Sequence, residues 1–153
     1  MRPPMKPLAD ALADLLAQAV PLAGTDTVST FDADGRVLQT AAVSPLQVPP
    51  QDNSAMDGYA VRCADVAAAG VVLPVSQRIP AGSLGTPLAA GTAARIFTGA
   101  PLPEGADAIV MQEDCEALDE GRSVRVNAVP AAHQWIRRAG EDIALGAQVL
   151  AAG

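Results

Sequence analysis

Residues 52–62 have the sequence Asp-Asn-Ser-Ala-Met-Asp-Gly-Tyr-Ala-Val-Arg and form the densest polar cluster of the chain. Asp and Asn side chains cap their own backbone and glycine supplies a positive φ, so this composition is typical of a surface turn. The alternative is a functional loop that presents Ser54 and Asp57 to a polar ligand or a metal, with Gly58 permitting close backbone approach. Composition leaves both interpretations open.

A second polar cluster lies at residues 95–110, with the sequence RIFTGAPLPEGADAIV. A predicted strand ends at Thr98-Gly99, where a hydroxyl and a backbone N–H would be offered to an anion. The alternative is a wide connection between two strands. No Gly-Lys-Ser/Thr follows the glycines, so this segment is not a phosphate-binding P-loop.

Two further segments carry weaker signals. Residues 112–116, QEDCE, concentrate carboxylates that suit a hard cation such as Mg²⁺, with a solvated acidic turn as the alternative. Residues 137–142, RRAGED, fit either an anion contact or an internally paired turn. His133, the single histidine, has no partners at metal-ligand spacing, and Cys63 and Cys115 fit small core residues.

The rest of the chain predicts an α+β, mainly β fold with one N-terminal helix. Apolar residues at helical spacing place that helix between Pro7 and Pro21. Beyond it, 13 glycines and 13 prolines divide the chain into short pieces rich in Val, Ile and Thr. These pieces predict strands at 28–30, 36–40, 71–75, 77–79, 94–97, 108–112, 123–126 and 134–137, a strand followed by a turn within 145–153, a helical turn at 66–70, and a hairpin turn at 120–121.

Charge and composition exclude several classes of partner. Lys+Arg 10 against Asp+Glu 17 gives a net charge of −7. Nucleic acids and anionic membrane surfaces require clustered basic side chains, so the acidic balance argues against both. No apolar run reaches the roughly 20 residues of a membrane span, and two cysteines cannot build a disulfide framework. A cytoplasmic protein is the simplest expectation.

Taken in order, these segments resemble the MoeA family of molybdopterin molybdenumtransferases. The string Asn-Ser-Ala-Met-Asp-Gly-Tyr-Ala at 53–60 is highly specific, and Thr-Gly-Ala-Pro-x-Pro at 98–103 is moderately so. Gln51 and Phe97 depart from residues common in the family, but neither departure changes a polar group. The segments that occur at similar spacing in the family are 44–45, 52–62, 95–103, 105–107, 110–113 and 137–142.

The resemblance implies the insertion of molybdate into adenylylated molybdopterin with release of AMP, assisted by Mg²⁺, in a homodimeric enzyme of molybdenum cofactor biosynthesis. It also implies a division into domains. Residues 1–42 and 139–153 would belong to an elongated, discontinuous and truncated first domain, and residues 43–138 to a β-rich second domain that carries the motifs.

By the same resemblance, Asp57 and Thr98 match positions in a cleft between two subunits and are expected to be catalytic. We expect Asp57 to hold a divalent ion or orient a water, and Thr98 with the Gly99 N–H to contact an oxyanion of phosphate or molybdate. Glu113 is a weaker candidate for supporting the metal. The residues expected to bind substrate are Asn53, Ser54, Gly58 and Gly99, of which the first two would also fix the loop.

Half of that cleft would lie outside these 153 residues, so the chain alone is expected to be inactive. The alternative is a non-catalytic assembly or anion-binding module on the same scaffold. The polar groups of Ser54, Asp57 and Thr98 favour the enzyme, because a pure scaffold has no physical need of a polar cleft.

Overall fold

A computed structural model describes residues 5–20 and 24–153 of the chain. They form two compact units, Met1–Thr40 with Ala152–Gly153, and Ala41–Ala151. Residues 139–151 group with the second unit, where the N–H groups of Asp142 and Ile143 donate to the Val48 carbonyl oxygen at 2.9 and 3.1 Å. The division into residues 1–42 with 139–153 and residues 43–138 stays a prediction.

The first unit contains the predicted helix, α1 (Leu8–Ala17), which begins directly after Pro7. The strands predicted at 28–30 and 36–40 are wrong. A short 3₁₀ helix, Thr30–Asp32, replaces the first, because the Phe31 N–H donates to the Ser29 hydroxyl at 3.3 Å and this local bond competes with strand pairing. No helix among the described residues has the length and apolar character needed to cross a membrane.

The second unit is built of short strands, as the sequence predicts. Its main sheet has six strands in the order β6-β3-β5-β4-β8-β7. Two further sheets have two strands each, β1 with β10 and β2 with β9. Among the described residues, only β4 and β5 pair in parallel. The strands are β1 (Ala42–Val43), β2 (Asn53–Ser54), β3 (Gly58–Val61), β4 (Val71–Ile79), β5 (Ala93–Ile96), β6 (Ala108–Met111), β7 (Cys115–Leu118), β8 (Ser123–Val126), β9 (Ile136–Arg137) and β10 (Gln148–Leu150).

The α+β, mainly β fold class is confirmed, with local corrections. The two strands predicted at 71–75 and 77–79 are one continuous strand, β4. The helical turn predicted at 66–70 is wrong, because a 3₁₀ helix lies earlier, at Cys63–Asp65, and Gly70 turns the chain into β4 at φ 88°. The hairpin is confirmed, since β7 and β8 pair antiparallel with Leu118 opposite Ser123.

Strand β3, which lies between β6 and β5, was not predicted, because it lies inside the first polar cluster. All four of its residues are buried. Successive side chains of a strand point to opposite faces, so Tyr59 and Val61 join one apolar cluster while Ala60 joins the other. The polar motif therefore continues directly into the core, and Asp57 stands immediately before it.

Candidate active site

Asp57 and Thr98, the two residues predicted to be catalytic, are in contact. Asp57 Oδ1 accepts hydrogen bonds from the Thr98 N–H at 2.8 Å and from Thr98 Oγ1 at 2.7 Å. The antiparallel pairing of β3 with β5 sets Gly58 opposite Ile96 and so brings the residues flanking these strands together. Two positions 41 residues apart in the sequence thus form one polar pair.

The pair has a defined ionisation state. The Thr98 N–H, followed by the Thr98 hydroxyl, stabilises the carboxylate and lowers the pKa of Asp57 below its ordinary value of 3.8, and the positive charge of Arg95 adds to this. An ionised carboxylate only accepts hydrogen bonds, so the Thr98 hydroxyl must donate its single proton to Asp57. What the pair offers to a ligand is acceptor capacity, at Asp57 Oδ2 and at the lone pairs of Thr98 Oγ1.

The Gly99 N–H is also engaged within the chain. It donates to the Ser54 carbonyl oxygen at 2.8 Å, in a turn where Gly99 has a φ of 80°. The two donors predicted for an oxyanion, the Thr98 hydroxyl and the Gly99 N–H, therefore both serve acceptors within the chain. Their contact with an oxyanion stays a prediction.

Ser54 lies in the interior and fixes the loop before Asp57. It is fully buried, its hydroxyl donates to the Met56 carbonyl oxygen at 2.5 Å, and it accepts from the Met56 N–H at 3.3 Å. Asn53 Oδ1 is likewise buried and has no hydrogen-bond donor among the described residues, which is unusual for an interior acceptor. The Ser54 hydroxyl therefore fixes the loop, whereas the Asn53 side chain makes no hydrogen bond that would do so among the described residues. The substrate-binding role of both residues stays a prediction.

Gly58 is required by close packing of the sheet. A Cβ atom at this position would lie 2.0 Å from the Val110 carbonyl oxygen of β6, and this oxygen belongs to the backbone and cannot move aside. Gly58 is also buried, so the sheet alone accounts for the glycine. Its role in binding substrate stays a prediction.

Arg95 is a residue of this region to which the sequence assigned no role. Its Nη1 donates to the Gly58 carbonyl oxygen at 2.8 Å and its Nη2 to Gln112 Oε1 at 2.7 Å. The guanidinium also lies over the rings of Tyr59 and Phe97, at 5.2 and 4.5 Å from their centroids. The available signal was one charged residue within an otherwise buried strand, Ala-Ala-Arg-Ile.

The described part of the chain contains no cluster of side chains that would support the predicted metal site. Glu113 is exposed on a 3₁₀ helix, Gln112–Asp114, and no group of three or more His, Cys, Asp or Glu side chains among the described residues is placed to hold a metal ion. The metal roles of Asp57 and Glu113 therefore stay predictions.

The remaining charged segment is an internally paired turn. Arg137 pairs with Asp142 at 2.5 Å, and Arg138 pairs with Asp52 at 2.7 Å. The Ala139 N–H is the main cause that lowers the pKa of Asp52. Of the two interpretations of residues 137–142, the paired turn describes the observed contacts.

The cysteines carry no activated thiolate. Burial raises the pKa of both Cys63 and Cys115 to about 11, so each thiol is protonated at neutral pH. Both are half-buried and pack against the apolar cluster that contains Tyr59. They are small packing residues, as the sequence predicted.

Comparison with known proteins identifies the family. Residues 6–153 match the family model described as MoeA N-terminal region (domain I and II). The chain belongs to the MoeA family. This MoeA chain is 47% identical over 129 residues to molybdopterin molybdenumtransferase 2 of Mycobacterium tuberculosis, an alignment that covers 81% of the chain and 31% of the relative. It is 42% identical over 147 residues to molybdopterin molybdenumtransferase of Synechococcus elongatus, covering 91% and 36%.

The solved structures agree on the fold of this MoeA chain. The crystal structure of molybdopterin biosynthesis moeA protein from Pyrococcus horikoshii OT3 superposes with a TM-score of 0.87 at 35% identity, covering 96% of this chain and 40% of that one. The chain spans about a third of the length of the curated relatives that it matches.

Proposed function

We propose that this chain is the N-terminal part of a molybdopterin molybdenumtransferase that acts in molybdenum cofactor biosynthesis. The names of its relatives support this at the level of the family. In the finer proposal, a longer cytoplasmic homodimer inserts molybdate into adenylylated molybdopterin and releases AMP, and this chain supplies half of a composite site. The observation that carries the proposal is the Asp57–Thr98 pair.

The pair is built to keep a negative charge in a fixed place. Both donors of Thr98 bind one carboxylate oxygen, Oδ1, which leaves Oδ2 of the half-buried Asp57 for a ligand. A preorganised acceptor stabilises developing positive charge or orients a donor without the cost of rearrangement. In the proposed reaction, Asp57 orients a water molecule or a donor group of the substrate next to the phosphates.

In this proposal, groups other than Asp57 bind the phosphate and the molybdate. A carboxylate held in its ionised form repels both anions, and the lowered pKa of Asp57 excludes a protonated carboxyl at neutral pH. A divalent ion that assists the reaction would take most of its ligands from substrate phosphates and water, as Mg²⁺ commonly does. The other groups that hold the anions are proposed to lie partly beyond this chain.

The test is AMP release from adenylylated molybdopterin with molybdate, measured on the full-length homodimer. Asp57→Asn keeps the shape but removes the charge, and we expect a loss of about 10²-fold or more in kcat. Thr98→Val should lose less, and Thr98→Ser should retain most activity because it restores the hydroxyl donor. Glu116→Gln is the matched control, since Glu116 is an exposed carboxylate that pairs with Arg125 on the β7–β8 hairpin.

Three results would contradict the proposal. A folded Asp57→Asn homodimer with wild-type AMP release would remove Asp57 from the mechanism. Turnover by the isolated 153-residue chain would show that the site is not composite. Binding of the adenylylated pterin by the wild-type homodimer without any AMP release would favour a non-catalytic binding module.

A further inference from the structure

Three arginines of the second unit lack an acidic partner. Among the described residues, no carboxylate lies within ion-pair distance of Arg78, Arg95 or Arg122. The other described basic side chains all pair with Asp or Glu; they are Lys6, Arg36, Arg62, Arg125, Arg137 and Arg138. In a chain with a net charge of −7, three unpaired arginines are unexpected.

All three of these arginines line one surface cavity of about 370 Å³. We call it the arginine cavity. Its other lining residues are Tyr59, Val75, Ser76, Gln77, Glu120 and Gly121. The walls are thus the middle of the six-stranded sheet on one side and the turn of the β7–β8 hairpin on the other.

The cavity is a consequence of strand topology. Residues 71–74 of β4 pair with β8, whereas residues 75–79 pair with β5. The register shifts between Val75 and Gln77, at the point where the strand exchanges one partner for the other. The Val75 N–H then donates to the Arg122 carbonyl oxygen at 2.8 Å, which holds the hairpin turn at the edge of the cavity.

Each guanidinium is held in place while some of its N–H groups stay free of carboxylates. Arg95 is fixed by two hydrogen bonds, and Arg78 lies over the Phe97 ring at 4.6 Å. Arg122 donates its Nε–H to the Asp119 carbonyl oxygen at 3.0 Å, which leaves its terminal nitrogens. Arginine has five N–H donors in a rigid fork that matches the oxygens of a phosphate.

The charge balance of the cavity points to a dianion. Three arginines and Glu120 give 3 − 1 = +2, and Glu120 makes no ion pair with any of the three. A phosphate group carries about two negative charges at neutral pH. The volume exceeds what one inorganic phosphate needs, so there is room for an organic substituent.

We propose that the arginine cavity binds the phosphate group of a phosphate monoester. Arg78, Arg95 and Arg122 hold the phosphate oxygens, and the substituent occupies the remaining space. Neither Asp57 nor Thr98 lines the cavity, and Arg95 is the residue that acts on both regions. Occupancy of the cavity does not depend on the proposed transferase reaction.

The test is a calorimetric titration of the 153-residue chain at low salt with ribose 5-phosphate, with inorganic phosphate, and with ribose as the uncharged control. We expect ribose 5-phosphate to bind more tightly than phosphate, and ribose not to bind. Arg78→Gln and Arg122→Gln should each weaken binding by about three- to tenfold, since each removes a charged donor at an exposed position.

Two control variants test whether the positive charge of the cavity causes the binding. Arg125→Gln removes the same charge from β8, but Arg125 pairs with Glu116 and does not line the cavity, so affinity should not change. Glu120→Gln removes the opposing charge and should strengthen binding by a few-fold. Circular dichroism verifies the fold of each variant.

Several results would overturn the proposal. These are no heat of binding with ribose 5-phosphate at millimolar concentration, equal weakening by Arg122→Gln and Arg125→Gln, or weaker binding in Glu120→Gln. Equal affinity for inorganic phosphate and ribose 5-phosphate would overturn the assignment of a monoester.

Discussion

The Asp57–Thr98 pair and the arginine cavity are polar regions of one sheet with opposite hydrogen-bonding character. At the pair, the Thr98 N–H, the Thr98 hydroxyl and the Gly99 N–H all donate to acceptors within the chain, so only acceptor atoms remain for a ligand. At the cavity, guanidinium donors remain and carboxylate partners are absent among the described residues. Arg95 contributes to both, since it lowers the pKa of Asp57 and lines the cavity.

This difference teaches that a recognisable motif is not the same as a free binding surface. The highly specific string at 53–60 has much of its polarity turned inward, at Ser54 and Asn53, and its glycine is needed for packing. Two of the three arginines with spare capacity, Arg78 and Arg122, lie outside the segments that resemble the family. Four predictions separate the structural role of the motif from the binding role of the cavity.

The largest effect is expected for Gly58→Ala. The new Cβ would lie 2.0 Å from a backbone oxygen of β6, so β3 and β6 must move apart. We expect the free energy of unfolding to fall by about 3 kcal/mol or more, or the chain not to fold. Gly99→Ala is the control, because nothing lies within 4 Å and only its φ of 80° opposes a side chain, at about 1 kcal/mol. Equal losses in urea unfolding would contradict the packing role of Gly58.

A smaller loss is expected for Ser54→Ala. Removing the hydroxyl leaves the Met56 N–H and carbonyl without their partner in a half-buried turn, which costs about 1–2 kcal/mol. Ser76→Ala removes an exposed hydroxyl whose bond to the Ala93 carbonyl oxygen is 3.3 Å, and should cost less than about 0.5 kcal/mol. If chemical denaturation gives Ser54→Ala the stability of wild type, the internal role of Ser54 is refuted.

The third prediction concerns the stability of the folded chain at acidic pH. Because the pKa of Asp57 is lowered in the folded chain, its ionised form adds stability above its unfolded pKa, near 3.8, and this stability is lost as the pH falls through the folded value. We expect Asp57→Asn to flatten the pH dependence of Tm below about pH 4. The pKa of Asp52 is also lowered, so Asp52 should account for the pH dependence of Tm that remains in Asp57→Asn.

Thr98→Val provides an independent measurement of the same contact. Loss of the hydroxyl should raise the pKa of Asp57 in an NMR titration, while Thr98→Ser leaves it near the wild-type value. An unchanged pKa in Thr98→Val would show that the hydroxyl does not stabilise the carboxylate.

The smallest effect is expected for the arginines of the cavity. Arg122→Gln should change the free energy of unfolding by less than about 0.5 kcal/mol, because no ion pair is lost. Arg125→Gln breaks an exposed pair with Glu116 and should cost at most about 0.5–1 kcal/mol. A loss above about 1 kcal/mol for Arg122→Gln would assign Arg122 to the fold rather than to a ligand.

Sequence periodicity predicted the elements that are long or that end in clear turn residues. Helix α1 follows from the spacing of its leucines, and the β7–β8 hairpin follows from Glu120-Gly121. Strand β3 could not be predicted this way, because four residues that begin with a glycine and are buried on both faces show no alternation. The strand predicted at 28–30 failed because the Ser29 hydroxyl offered the backbone a local partner.

The candidate site shows a similar limit. Asp57 and Thr98 could be singled out from their segments, and the resemblance to the MoeA family assigned them to one cleft. The direction of their hydrogen bonds could not be predicted, because it depends on which backbone donors the sheet leaves unsatisfied. The arginine cavity could not be predicted for a related reason, since Arg78 and Arg122 come to line one cavity through the partner exchange of β4.

That shared strand also ties the sheet together as a unit of unfolding. Opening residues 71–74 releases the β7–β8 hairpin, and opening residues 75–79 exposes β5, so neither ladder can separate without straining the strand that continues into the other. We therefore expect amide hydrogen exchange in β5 and β8 to require one cooperative opening, close to global unfolding. A ligand in the arginine cavity would slow exchange in both strands at once.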